Sequence, residues 1–216
     1  MSVIQARGLV VRQVSVGEAD RLVTLFLKGV GLAAVSAKGA RKPKSRFLAG
    51  TEIFTYADFV LFDGGAFMSL NEADIIEPFY ALREDYDALR AAAYIADICC
   101  RGIPENYPCD DILLLALRAL KELCAPGASP ARAVRVRCVF ELKFLQLNGC
   151  LPEAGELAAN IGDGGDFMRM FDYIAQSGTT GAFRFKCSEA ALNALNGAAR
   201  GLMEQHYDFL MKKRPE

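Results

Sequence analysis

The sequence predicts an α+β chain in two parts, a small β-barrel over residues 1–78 followed by an all-α domain over 79–216. Two observations carry this reading, and a third, in the charge, points to a localised anion-binding face. Short β-branched and aromatic runs, separated by glycine turns, fill residues 9–70. Beyond Pro78, apolar residues recur at three- and four-residue steps, the period of a helix face. Charge is partitioned along the chain: residues 1–50 hold nine Lys/Arg against two Asp/Glu, and residues 51–80 hold six acids and no base, within 216 residues of formal net charge −1.

Each strand has its own signal. Residues 9–14 (LVVRQV) are β-branched and bounded by Gly8 and Gly17. Residues 21–27 (RLVTLFL) are apolar on both parities, which suits a strand whose inner face lines a barrel and whose outer face is covered. Gly29 and Gly31 make a turn into a small-residue strand at 32–37. Residues 54–62 (FTYADFVLF) give the strongest strand signal, Asp63-Gly64-Gly65 a hairpin turn, and 66–70 the return. Five short strands in about eighty residues fit a Greek-key barrel of the OB type.

The helices follow. Leu82, Tyr86, Leu89, Ala93, Ala96 and Cys100 predict one amphipathic stripe, stopped by Gly102 and Pro104. Asp110 is placed to cap a second helix at 111–123, and Ser129-Pro130 starts a third that runs to Asn148-Gly149. A short helix is expected at 167–176. Ser188 opens a last one reaching Met211, in which Gly197 and Gly201 predict a notch for a packing helix. Residues 212–214 are expected to fray.

The residue inventory argues against turnover chemistry. Neither G-x-S-x-G nor G-x-x-x-x-G-K-[ST] occurs, and Gly29-Val30-Gly31 lacks the third glycine of a dinucleotide loop. One histidine, His206, forms no pair. Asp110-Asp111, Glu84-Asp85 and Asp163/Asp166 read as helix-terminal or loop acids. The seven cysteines include no Cys-x-x-Cys, so they read as reduced thiols packed in a core, Cys99-Cys100 among them. No apolar run reaches membrane-spanning length and the start lacks the order of a secretory signal, so a cytoplasmic protein is expected.

The basic run KGARKPKSR, residues 38–46, is the exception to this blandness. Lys38, Arg41, Lys42, Lys44 and Arg46 lie between two barrel strands, where OB-folds carry loops that contact nucleic acid. Pro43 stiffens the loop. Arg7, Arg12, Arg21 and Lys28 extend the cationic surface, with Phe47 and Tyr56 as stacking candidates. The alternative is a protein-interaction scaffold in which the same loop docks an acidic partner.

The strings RGLVVR, GEADRLVTLF and AKGARKPKSR, together with FELKFL leading to Gly149 and Pro152, resemble the RecO family of bacterial DNA repair and recombination-mediator proteins, over about residues 3–152. The resemblance implies an OB-fold, a helical domain, no enzyme activity and no cofactor. It also implies binding of single- and double-stranded DNA, annealing of complementary strands, and, with RecR, replacement of single-strand-binding protein (SSB) by RecA in the RecF-linked pathway. The expected place of action is the bacterial nucleoid, with no membrane partner. Family members capture the SSB C-terminal tail on the helical domain, for which Arg132, Arg135, Arg137 and Lys143 are the candidates here. Many members bind a structural zinc through four cysteines. This chain has only Cys150 and Cys187 across 150–187, so no metal is expected, and packing around Phe167, Met170, Phe171 and Tyr173 is expected to hold the region instead.

Overall fold

Alternation along one strand fixes the barrel. In β2 (Asp20–Leu27), Val23, Leu25 and Leu27 face the interior, where they meet Val10, Val35, Phe59 and Leu61. The computed structural model describes residues 2–64, 68–127, 129–153, 164–211 and 215. The remaining strands are β1 (Val3–Val16), β3 (Gly31–Ala37), β4 (Tyr56–Asp63) and β5 (Met68–Glu77). They close in the order β1-β2-β3-β5-β4, with β4 paired back to β1 and only β3–β5 parallel. This is the OB-like barrel expected from the strand runs. β1 serves both flanks, pairing β4 through Val3–Leu9 and β2 through Gly8–Val16, with a bulge at Val11 that lets one long strand turn a corner.

The chain forms two compact units, one of Met1–Tyr80 with Ala96–Leu113 and one of Ala81–Ile95 with Leu114–Glu216. Within the first, the outer parity of β2 and β3 is as apolar as the inner. Phe26 and Leu32 point outward yet are buried. The segment 96–113 lies along this face: Asn106 N–H donates to Leu32 O (3.1 Å), Gly29 N–H donates to the Asp110 carboxylate (2.7 Å), and Cys100 Sγ sits 3.7 Å from Val11 O. The doubly apolar β2 thus has the covered outer face its sequence predicts. Burying Phe26 alone contributes about 2–3 kcal/mol.

Gly31 marks the closest approach. It sits at φ 93°, and a methyl built on it would lie 2.7 and 2.8 Å from Tyr107 C and N. Gly31→Ala therefore combines a left-handed backbone with a clash against main chain, and is expected to cost about 3 kcal/mol or more. A urea midpoint unchanged from wild type would contradict this.

The second unit is helical. Its elements are a 3₁₀ turn (Tyr80–Glu84), α1 (Tyr86–Gly102, whose last turns count with the barrel), α2 (Asp110–Leu123), α3 (Pro130–Leu147), α4 (Gly164–Gln176) and α5 (Glu189–Met211). α3 starts as expected, with Pro130 at its first turn, although the Ser129 hydroxyl makes no capping bond. Ser188 does cap α5, its Oγ accepting from Ala191 N–H at 3.2 Å. Two expectations fail. In α1 the buried stripe is Ala88, Ala91, Ala92, Ile95, Ala96 and Cys99, while Tyr86 and Ala93 are exposed. Alanine and cysteine suit either face, so hydropathy spacing admits two overlapping stripes and does not choose between them. Gly197 and Gly201 are exposed, and no described atom lies within 4 Å of a methyl placed on either, so none of the described helices packs into the notch.

Phe167, Met170 and Phe171 are buried on α4 as expected, whereas Tyr173 is partly exposed and donates its hydroxyl to Gly181 O and Arg184 O. The frayed-tail reading of 212–214, and residues 154–163 of the region expected to lack zinc, lie outside the described residues. None of the described helices is long and apolar enough to cross a membrane.

Candidate nucleic-acid interface

Between β3 and β4 the chain makes eighteen residues of consecutive turns rather than a loose loop. Backbone bonds tie each turn to the next: Lys42 N–H to Gly39 O, Ser45 N–H to Lys42 O, Leu48 N–H to Ser45 O and Thr51 N–H to Phe47 O. Both ends are anchored in the barrel. Ala40 belongs to the core, while Thr51, Phe54 and Thr55 are buried, and Val10 exchanges backbone bonds with Phe54 and Thr55.

The cations ride on the exposed stretch. Lys38, Arg41, Lys42, Lys44 and Arg46 are all exposed. Among the described residues none of the five forms an ion pair. Arg41 donates to Gly17 O at 2.9 Å, which ties the loop to the β1–β2 turn without neutralising the charge. The Arg46 guanidinium lies 4.8 Å from the ring centroid of half-buried Phe47, so Phe47 supports an arginine rather than standing open as a platform. Arg12 is exposed on the outer face of β1, opposite Thr24.

Three cations named from sequence have other surroundings. Arg21 shares the inward parity of Val23 and Leu25. It donates to Leu48 O (3.0 Å), Thr51 Oγ1 (2.9 Å) and Glu52 Oε1 (2.7 Å), with 13% of its side chain exposed. Its guanidinium closes the barrel end under the basic loop. Arg7 lies across from Asp58 in the β1–β4 register and forms a two-bond pair with it (2.7 and 2.9 Å). That hydrogen bonding holds the Asp58 carboxyl below its usual range and raises Arg7. Tyr56, beside them, is raised chiefly by burial. Lys28 follows the far end of β2, where its N–H meets Arg7 O, away from the basic loop.

The helical candidates divide similarly. Arg137 is 2% exposed, bonded to Pro215 O and to Asn196 Oδ1 (2.8 Å). Lys143 is 6% exposed and donates to Gln146 Oε1, Ala175 O and Ser177 O, which binds it to the C-terminal end of α4; burial lowers its pKa. Both side chains hold the helical unit together from inside. Arg132 and Arg135 differ, since both line a surface cavity of about 740 Å³ with Val134, Leu192 and Lys186. Arg132 also grips Ala125 O, Pro126 O and Gly127 O, and Arg135 stacks at 5.9 Å over Phe185. Lys186 went unread in the sequence: it is distant along the chain and no local pattern joins it to α3.

Among the described residues zinc has no fitting site. Cys150 donates to Asn148 O, Cys187 is half-buried with its thiol raised by burial, and two thiols leave a tetrahedral ion half coordinated. Among the described residues no group of three or more His, Cys, Asp or Glu is placed to hold a metal.

Comparison with known proteins matches residues 1–79 to the sequence model of the recombination protein O N-terminal region and residues 83–213 to that of its C-terminal region. A DNA repair protein RecO of Acetivibrio thermocellus is 32% identical over 96% of this chain and 93% of its own length. Those of Alkaliphilus metalliredigens and Symbiobacterium thermophilum are 35% and 32% identical, over 69% and 77% of this chain and 59% and 63% of theirs. With both halves matched and a relative aligned almost end to end, the chain belongs to the RecO family of DNA repair proteins.

Proposed function

We propose that this protein binds DNA through the 38–46 loop, without catalysis, and acts as a recombination mediator. On this reading it holds single and double strands and anneals complementary ones. With RecR it also helps exchange SSB for RecA on gapped DNA, RecF being a further partner. The observation that carries the reading is the row of five exposed cations, unpaired with any described carboxylate, on a backbone anchored at both ends. Such a surface binds phosphates by counterion release and with little regard to sequence. Annealing follows, because a cationic surface screens two repelling backbones and leaves base edges free to pair. Labelled oligonucleotides of two unrelated sequences should bind the isolated protein with affinities within about threefold of each other. Failure of both to bind would leave the scaffold alternative, an acidic protein partner on the same loop.

The cavity beside Arg132, Arg135 and Lys186 supports capture of the SSB tail. An acidic peptide with an apolar terminal residue needs an apolar floor, here Val134 and Leu192, and cations for its carboxylate. Calorimetry with the tail peptide should give binding that Arg135→Glu abolishes; equal heats from the two proteins would exclude this cavity. Arg137 and Lys143 play no direct part in this proposal, being committed inside the unit.

A further inference from the structure

Two neighbouring residues of β2 hold the basic loop at its two ends. Successive strand residues point to opposite faces, so Asp20 and Arg21 reach in opposite directions. At the leading end, Asp20 Oδ1 accepts the Gly39 N–H at 2.7 Å, and the adjoining Ala19 O accepts the Arg41 N–H at 2.9 Å. Gly39 sits at φ 68°, a conformation that side chains resist and that turns the chain out of β3. At the trailing end, the Arg21 fork takes Leu48 O, Thr51 Oγ1 and Glu52 Oε1, and Thr51, fully buried, passes the hold to Phe47 O at 2.8 Å. Residues 42–46 are the part left outside both anchors.

We propose that Asp20 and Arg21 form a two-sided clamp that presents the cationic loop preformed to a polyanion, with Asp20 as a positioning residue. The proposal rests on the DNA reading of the loop. A loop already ordered loses little entropy when phosphates close on it, so the clamp raises affinity without touching the ligand. Asp20 is also an acid bonded to the first turn of a loop that carries five cations, and this makes its role separable by sign. As a bare charge it would repel a polyanion, and its removal would tighten binding. As a positioning residue its removal loosens binding.

The experiment compares wild type, Asp20→Ala and Asp20→Asn; the asparagine keeps the acceptor oxygen and drops the charge. Amide exchange at Gly39 and Arg41 reads the clamp, and anisotropy with a fluorescein-labelled oligothymidylate reads binding. Asp20→Ala should speed exchange at Gly39 by about tenfold and weaken the oligonucleotide about fivefold. Asp20→Asn should keep the protection and bind as tightly as wild type or tighter. Asp20→Ala with wild-type protection overturns the clamp. So does lost protection with unchanged or tighter binding, since order in the loop would then not matter to the ligand. A wild-type protein that binds no oligonucleotide sinks the DNA reading beneath the proposal. That failure is distinguishable, because exchange at Gly39 ranks the variants without any ligand.

Discussion

Lys42→Glu combined with Lys44→Glu is expected to lower affinity for single- and double-stranded oligonucleotides by about 10²-fold at ~0.1 M salt. Both side chains are exposed and carry no ion pair among the described residues, so on the proposed DNA reading the change turns two phosphate contacts into two repulsions. The backbone bonds that shape the loop come from main-chain atoms and survive the substitution. Urea unfolding should therefore stay within about 0.5 kcal/mol of wild type. The loss should be equal on unrelated sequences, because phosphates rather than base edges are involved. A double variant that binds within about threefold of wild type would place the interface elsewhere on the protein.

The largest effect on stability is expected at Arg137. Its guanidinium is buried in the middle of the helical unit and satisfies Pro215 O and Asn196 Oδ1, linking α3 to α5 and to the chain end. Arg137→Ala removes those donors, strands the acceptors away from water and opens a cavity the length of the arginine stem. Together these should cost about 3–5 kcal/mol, the sum of a large-to-small change in a buried site and acceptors left unpaired. Arg135→Ala, on the same helix but lining the open cavity, should cost about 1 kcal/mol or less. Near-equal urea midpoints for the two variants would contradict the buried role of Arg137.

The barrel was legible because its residues alternate. The strand runs, the apolar outer parity of 21–27 and the glycine turns all pointed to a closed sheet with one covered face, and Phe26 and Leu32 occupy that face. The same alternation contained the answer for Arg21. It lies two residues before Val23 and four before Leu25, on the inward parity, so its place at the barrel end was implicit in the spacing. Charge and period point opposite ways at Arg21, and period prevails. In the helices, α3 offers no such guide: Arg137, Glu141 and Lys143 are buried amid an almost wholly buried segment. A helix enclosed on nearly every side has no polar face to set its phase. The cavity at Arg132 and Arg135 was half legible, since its third cation, Lys186, comes from a segment fifty residues on and is brought there only by tertiary packing. The five loop cations needed no tertiary knowledge: glycine and proline around a dense charge run already marked an exposed turn.

One titration tests the central claim most directly. Binding of wild-type protein to a labelled single strand, followed from about 50 to 300 mM salt, measures how many phosphates are neutralised. Five loop cations gripping one strand predict that log K falls against log salt with a slope of about −3 to −4, and that Lys42→Glu with Lys44→Glu flattens it by at least one unit. A slope near zero, or one that the double variant leaves unaltered, would show that charge on this loop is not what holds the strand.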